Sequence, residues 1–111
     1  MRVHSALGPG LLEGAYEACL AHELRKRGLG VAVQVPLPVW YDGVKIELGY
    51  RLDMLVEDAV IVELKAVSKL APLHEAQLLS YLRLSAHQVG LLINFHMPHL
   101  RDGIKRIVNN L

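Results

Sequence analysis

The chain has one cysteine, one tryptophan and one phenylalanine, and aromatics make up only 5% of its 111 residues. A lone cysteine, Cys19, excludes an internal disulfide and a thiolate zinc cluster, and it implies a cytoplasmic protein. An excess of either charge is also lacking: Lys+Arg total 12 against 11 Asp+Glu, for a net charge of +1. No global field then steers the protein to a polyanion, so any nucleic-acid binding must come from a local patch. No apolar run reaches the ~18–20 residues that span a bilayer. The opening MRVHSALG lacks the long apolar core of a signal peptide. What is present, 52% hydrophobic and 21% charged residues, is the composition of a globular chain with a real core. One domain over residues 1–111 is expected.

Nothing divides the chain into segments: it has no linker, repeat or low-complexity stretch. Residues 1–7 read as the last turns of a helix ended by Gly8-Pro9-Gly10. So short a helix beside Met1 raises the expectation of a chain lacking its beginning. Residues 11–28 predict a helix with Leu12, Tyr16, Cys19/Leu20 and Leu24 as its apolar stripe. Arg25-Lys26-Arg27-Gly28 gives it a cationic last turn and a glycine stop. VAVQVPLPVWY at 31–41 reads as a strand that Pro36 and Pro38 confine to an edge or bulge. Asp42-Gly43 is a turn signal, followed by strands at 45–56 and 60–67. Pro72 opens a helix to Ser85, with Leu73, Ala76, Leu79, Leu82 and Leu84 available for its core face. HQVGLLINF at 87–95 is a buried strand, and a last helix after Pro98 runs to Asn109. The order α–β–β–β–α–β–α predicts an α/β fold, a mixed four-stranded sheet with helices on its faces.

The most informative residues lie between 53 and 65. VIVELKAV is apolar enough to be buried, and a charge left alone in such a strand costs several kcal/mol. Glu63 and Lys65 are two apart and leave the strand on one face. If Glu57-Asp58-Ala59 closes a hairpin with LGYRLDMLV, Asp53 faces Glu63 and Arg51 faces Lys65. Two carboxylates and an ammonium then share one patch, which folding does not need and a divalent cation does. Asp53 and Glu63 offer hard oxygens suited to Mg²⁺ or Mn²⁺, and the Leu64 carbonyl offers another. Lys65 could orient or deprotonate a bound water, or neutralise a developing oxyanion. A self-satisfying buried ion pair is the plain alternative.

Helical spacing adds to this. Gln77 and Tyr81, four apart, share a face of the 72–85 helix with His74; taken alone they read first as a partly exposed polar stripe, and beside a metal they would suit phosphate oxygens. Glu13, in the first turn of its helix, reads either as dipole complementarity or as a third carboxylate at the metal site. Other groups weigh less. His96 and His99 lack further zinc ligands nearby. Arg25-Lys26-Arg27 and Arg101-Lys105-Arg106 read equally as backbone contacts and as solvated helix faces. Trp40-Tyr41 could stack on a base, though core or interface packing is the stronger expectation. Cys19 is a small hydrophobe.

Asp53…Glu63-Leu64-Lys65 on a hairpin before a helix resembles the PD-(D/E)XK nuclease superfamily, with Leu52 in place of its proline. Gln77-Leu78-Leu79-Ser80-Tyr81 matches the Gln-x-x-x-Tyr motif of the superfamily's recombination-exonuclease branch. More closely, Gly10-x-x-Glu13-x-x-Tyr16, RLDMLVEDAVIVELKAV, HEAQLLSYL and GLLINF resemble the small bacterial GxxExxY proteins, nearly end to end and in order. In that group the first helix is generally longer than MRVHSAL.

The resemblance implies a restriction-endonuclease-like three-layer core whose sheet cups a magnesium site. Asp53, Glu63 and Glu13 would bind metal, Lys65 would serve the attacking water, and Gln77 and Tyr81 would line the substrate phosphate. The implied activity is Mg²⁺- or Mn²⁺-dependent hydrolysis of nucleic acid, DNA ahead of RNA. No membrane partner is expected, and the apolar content of so small a chain suggests a homodimer. The rival reading is a non-catalytic nucleic-acid- or protein-binding module that kept the fold.

Overall fold

The computed structural model describes residues 2–110. Helices α1 (Arg2–Leu7) and α2 (Glu13–Lys26) precede strands β1 (Val31–Pro36), β2 (Val39–Tyr41), β3 (Val44–Ile46), β4 (Arg51–Val56) and β5 (Val60–Lys65). Helix α3 (Pro72–Ser85), strand β6 (Val89–Asn94), a 3-10 turn (Leu100–Gly103) and strand β7 (Ile104–Val108) follow. The main sheet is mixed and has five strands, not four, in the order β1-β4-β5-β6-β7. β5 and β6 run parallel, with α3 as the crossover a parallel pair requires, and the other pairs are antiparallel. Among the described residues no helix is long and apolar enough to cross a membrane.

Three expectations need correction, each for a backbone reason. The strand expected at 31–41 breaks at Leu37-Pro38, because proline cannot donate to a ladder. The strand expected at 45–56 breaks at Gly49, whose φ of 76° leaves the extended region. The two fragments, β2 and β3, pair only with each other, around an Asp42-Gly43 turn with φ of 53° and 72°. The helix expected after Pro98 is instead the 3-10 turn and β7. Ile104, Ile107 and Val108 are β-branched, and as a strand they close the open edge of β6 from Ile93↔Ile104 to Val89↔Val108. Asn109 seals that ladder, donating its backbone N–H to Gln88 and its side-chain amide to the His87 carbonyl.

Helices cover both faces of the sheet, giving three layers. Tyr16 and Leu20 of α2 and Val3 of α1 pack against Met54, Val62, Leu64, Ile93 and Phe95 on one face. Leu78, Tyr81 and Leu82 of α3 pack against Ile61 and Leu92 on the other. Leu12 and Leu73, expected inside, are exposed (85% and 76%), and Leu84 is exposed as well. Helix α2 turns a narrower stripe inward than its leucines suggest, whereas on α3 the buried stripe is shifted, with Leu78 and Tyr81 inside and Ala76 exposed. Tyr16 is fully buried and stacked on Phe95 at 4.3 Å between centroids. Its hydroxyl donates to the Gly8 carbonyl (2.6 Å) and accepts from the Leu11 amide (3.0 Å), which fixes the loop into α2.

Two glycines make opposite predictions. A Cβ on Gly103 would land on the Asn94 carbonyl oxygen and on the Met97 side chain. Gly103→Ala should therefore cost about 1–3 kcal/mol by overpacking, read as a lower urea midpoint. Gly14, in α2 with nothing near its would-be Cβ, should instead gain about 0.5 kcal/mol as alanine.

Candidate active site

The β4–β5 hairpin turns at Glu57-Asp58-Ala59, with Ala59 N–H donating to the Val56 carbonyl (3.0 Å). Its ladder runs Val56↔Val60, Leu55↔Ile61, Met54↔Val62, so Asp53 and Glu63 are next in step. There side chains replace the backbone. Glu63 Oε1 accepts the Asp53 amide (3.0 Å), and Asp53 Oδ2 accepts the Leu64 amide (2.9 Å). Each carboxylate satisfies a donor that the opened ladder would otherwise strand. Leu55 and Ile61, two residues away on each strand, pack under α3, so by strand alternation the acidic pair faces α3 too. The carbonyl of a strand residue leaves on the side of its own N–H, so the Leu64 oxygen also points toward Asp53.

Glu63 is only 4% exposed. Burial, and then the charge of Asp53 beside it, push its pKa up from 4.5 to about 8, against an opposing pull from the Lys65 ammonium. Near neutral pH the pair therefore holds a proton, the smallest cation available to a site short of positive charge. Arg51, expected opposite Lys65, turns away to β1, where Nη1 donates to the Gln34 carbonyl (3.4 Å).

Helix α3 supplies the other wall. Gln77 Nε2 donates to the Tyr81 hydroxyl (3.1 Å). Burial first, and then the negative charge of Glu63, raise the Tyr81 pKa, with Tyr50 and Asp53 adding to it. The phenol thus lies within the field of the carboxylates, and Gln77 reaches them through it. Below, Asn94 is fully buried opposite Lys65 and clamps Val67 by two hydrogen bonds (3.1 and 2.8 Å), fixing the chain as it leaves β5.

Glu13 stands apart. It is the exposed first residue of α2, on the far layer of the sheet, and no group of three His, Cys, Asp or Glu able to hold an ion occurs among the described residues. One helical turn on, Glu17 accepts Gln34 Nε2 (3.0 and 3.2 Å). The β1–β4 register sets Gln34 beside Asp53, and its φ of 50° is left-handed, uncommon away from glycine. Gln34 and Tyr50, whose ring tilts against Tyr81 at 6.1 Å, escaped the sequence reading. Both sit in ordinary strand patterns, and nothing local distinguishes them.

The lesser candidates have structural partners or none at the site. His96 Nε2 lies against the Leu11 carbonyl (3.3 Å), Arg25 donates to the Val31 carbonyl and Lys105 pairs with Glu75. Trp40 and Tyr41, expected in a core or interface, lie outside this chain's own core, 61% and 70% exposed.

The raised Glu63 pKa sets the sign of a pH dependence. The folded state keeps a proton that the unfolded chain releases above about 4.5, so this contribution is full below pH 4.5 and lost as pH rises to about 8. Urea denaturation of the metal-free protein should show stability falling over that window. Glu63→Gln should flatten the fall and be the more stable protein near pH 8.

A family model described as the PD-(D/E)XK nuclease superfamily matches residues 1–107. No curated protein and no solved structure matches the chain. With the match covering nearly every residue, and the hairpin, acidic pair and lysine in the motif's order, the chain belongs to the PD-(D/E)XK nuclease superfamily.

Proposed function

We propose that the protein is a metal-dependent nuclease of the small GxxExxY group, a single catalytic domain over residues 1–111 that hydrolyses phosphodiester bonds of DNA. Nucleases of this superfamily act on nucleic acid and generally use divalent metal ions. The observation behind the reading is the ladder break at Asp53 and Glu63, where two carboxylates are held side by side in a buried place and Glu63 is driven to keep a proton.

The donor set fits a hard cation. Asp53, Glu63 and the Leu64 carbonyl are all oxygen ligands, and Mg²⁺ or Mn²⁺ is usually held by one or two carboxylates with its remaining positions filled by water. Such an ion supplies positive charge for the developing oxyanion and a water of lowered pKa. The protein's own groups do the rest. Lys65, on the face of Glu63, takes or steadies the proton of the attacking water. Tyr81, oriented by Gln77, donates to a phosphate oxygen. Glu13, on the layer opposite the pair, completes the acidic cluster only if the start of α2 is rearranged. That separate position is what favours the rival, a non-catalytic module whose acidic pair is satisfied by backbone amides alone.

Calorimetric titration with Mn²⁺ in two buffers of different ionisation enthalpy separates the readings. A filled site displaces the Glu63 proton, so the nuclease reading expects proton release on binding near pH 7, lost in Glu63→Gln. Asp53→Ala should abolish binding and lower cleavage of DNA by about 10²–10³-fold or more. Lys65→Ala should keep Mn²⁺ affinity and lose about 10²-fold or more in cleavage. No Mn²⁺ binding, with no cleavage of any DNA or RNA form, leaves the module reading standing.

A further inference from the structure

We infer that the β2–β3 ribbon and its root form a stacking platform for single-stranded nucleic acid, leading an unpaired strand to the acidic pair. This rests on the nuclease reading for what happens at the end of the path, not for the binding itself.

The aromatics are partitioned. Of the chain's six, Tyr16, Tyr81 and Phe95 are buried, whereas Trp40, Tyr41 and Tyr50 are exposed (61%, 70% and 43%). All three exposed rings lie within one excursion of eleven residues, although exposed aromatics are what a sequence poor in them should spend last. The excursion is pinned at its base, where the Leu37 amide donates to the Tyr50 carbonyl (2.8 Å). From there β2 and β3 leave the main sheet and pair only with each other. An isolated two-stranded ribbon is marginal in water, and apolar side chains on it do not lower its energy until something covers them.

Chemistry and continuity select the cover. A groove of about 320 Å³ opens between ribbon and sheet, lined by Pro36, Lys45, Glu47, Tyr50 and Arg51 among others, with the exposed Lys45 ammonium resting on Glu47 (3.1 Å). Tyr50 continues it inward, tilted against Tyr81 at 6.1 Å, and Tyr81 adjoins Glu63 and Asp53. Trp40 lies directly across the ribbon from Lys45, so a ring face and a cation share one side. Flat apolar faces, the Arg51 guanidinium, a Lys45 that a phosphate would have to draw from Glu47, and a path ending at carboxylates match bases that stack with modest cationic help to the backbone. A duplex hides its base faces and demands many phosphate contacts, which a chain of net charge +1 does not offer.

Trp40 is the chain's sole tryptophan, so its fluorescence reports on the ribbon directly. Titration of the protein, in Ca²⁺ to withhold cleavage, with an oligo-dT of about 15 nucleotides, within single-strand site sizes, should quench Trp40 saturably. A duplex of equal length should bind at least about tenfold more weakly. In fluorescence anisotropy with labelled oligo-dT, Trp40→Ala and Tyr50→Ala should each cost about tenfold or more in affinity, and Tyr50→Phe should retain it. Asp53→Ala should leave stacking intact, whereas in the unsubstituted protein quenching without cleavage in Mg²⁺ or Mn²⁺ sinks the nuclease reading and keeps the platform. Cleavage with no loss of affinity in Trp40→Ala and Tyr50→Ala does the reverse. Equal binding of duplex, no quenching, or a dimer in sedimentation that Trp40→Ala dissociates overturns the platform, the last by assigning the ribbon to a second copy.

Discussion

The acidic residues of the β4–β5 hairpin are bonded to the backbone they interrupt. A central strand such as β5 has little room for a carboxylate, since each one moved out of water carries a penalty of several kcal/mol. Here Asp53 and Glu63 recover part of that cost by accepting the two amides that the opened ladder exposes. The opening and the charges are therefore one feature. Removing the carboxylates would strand the amides, and closing the ladder would leave no place for the carboxylates. What the exchange does not offset is the burial of Glu63 and, after it, the repulsion from Asp53, which together persist as a proton held on Glu63.

Around that pair the structure reads as a set of constraints on position. Asn94 ties the exit of β5 to the end of β6, so Lys65 cannot drift along the strand. Gly103 lets the 3-10 turn press on the Asn94 carbonyl, and no larger residue would fit. Tyr16 ties the glycine loop to the start of α2 from inside the core. None of these residues meets the carboxylates, yet each limits where a neighbour of the site can go. Sites need such support because a misplacement of about 1 Å can cost as much as a lost group.

What could be read from the sequence followed the distance over which each signal acts. The hairpin turn, the shared face of Glu63 and Lys65, and helix α3 from Pro72 to Ser85 rest on local periodicity and turn chemistry, and they stand as read. The C-terminal strand did not, because IKRIV is short and becomes a strand by completing the edge of β6, a partner distant in sequence. The inward face of α2 was read too wide and that of α3 was displaced, for a similar reason: a residue at helical spacing is buried only where the opposing layer meets it, and that layer meets Leu78 and Tyr81 but not Leu12, Leu73 or Ala76. Gln34 was hidden for a third reason. Its left-handed backbone beside Asp53 has no signature in a residue that usually lies flat in a strand.

The balance of charge links the site to its surroundings. An acidic pair repels the phosphates it would act upon, and a near-neutral chain has no broad positive surface to overcome that repulsion at a distance. Attraction has to come at contact range, from groups whose strength does not depend on net charge. Ring faces meet that condition, because stacking needs area and desolvation and only modest cationic help. The three exposed rings stand on the sequence that leads into Asp53, with Tyr50 three residues before it. Placing apolar area where a basic chain would place arginines lets a strand be held beside carboxylates that would otherwise turn it away.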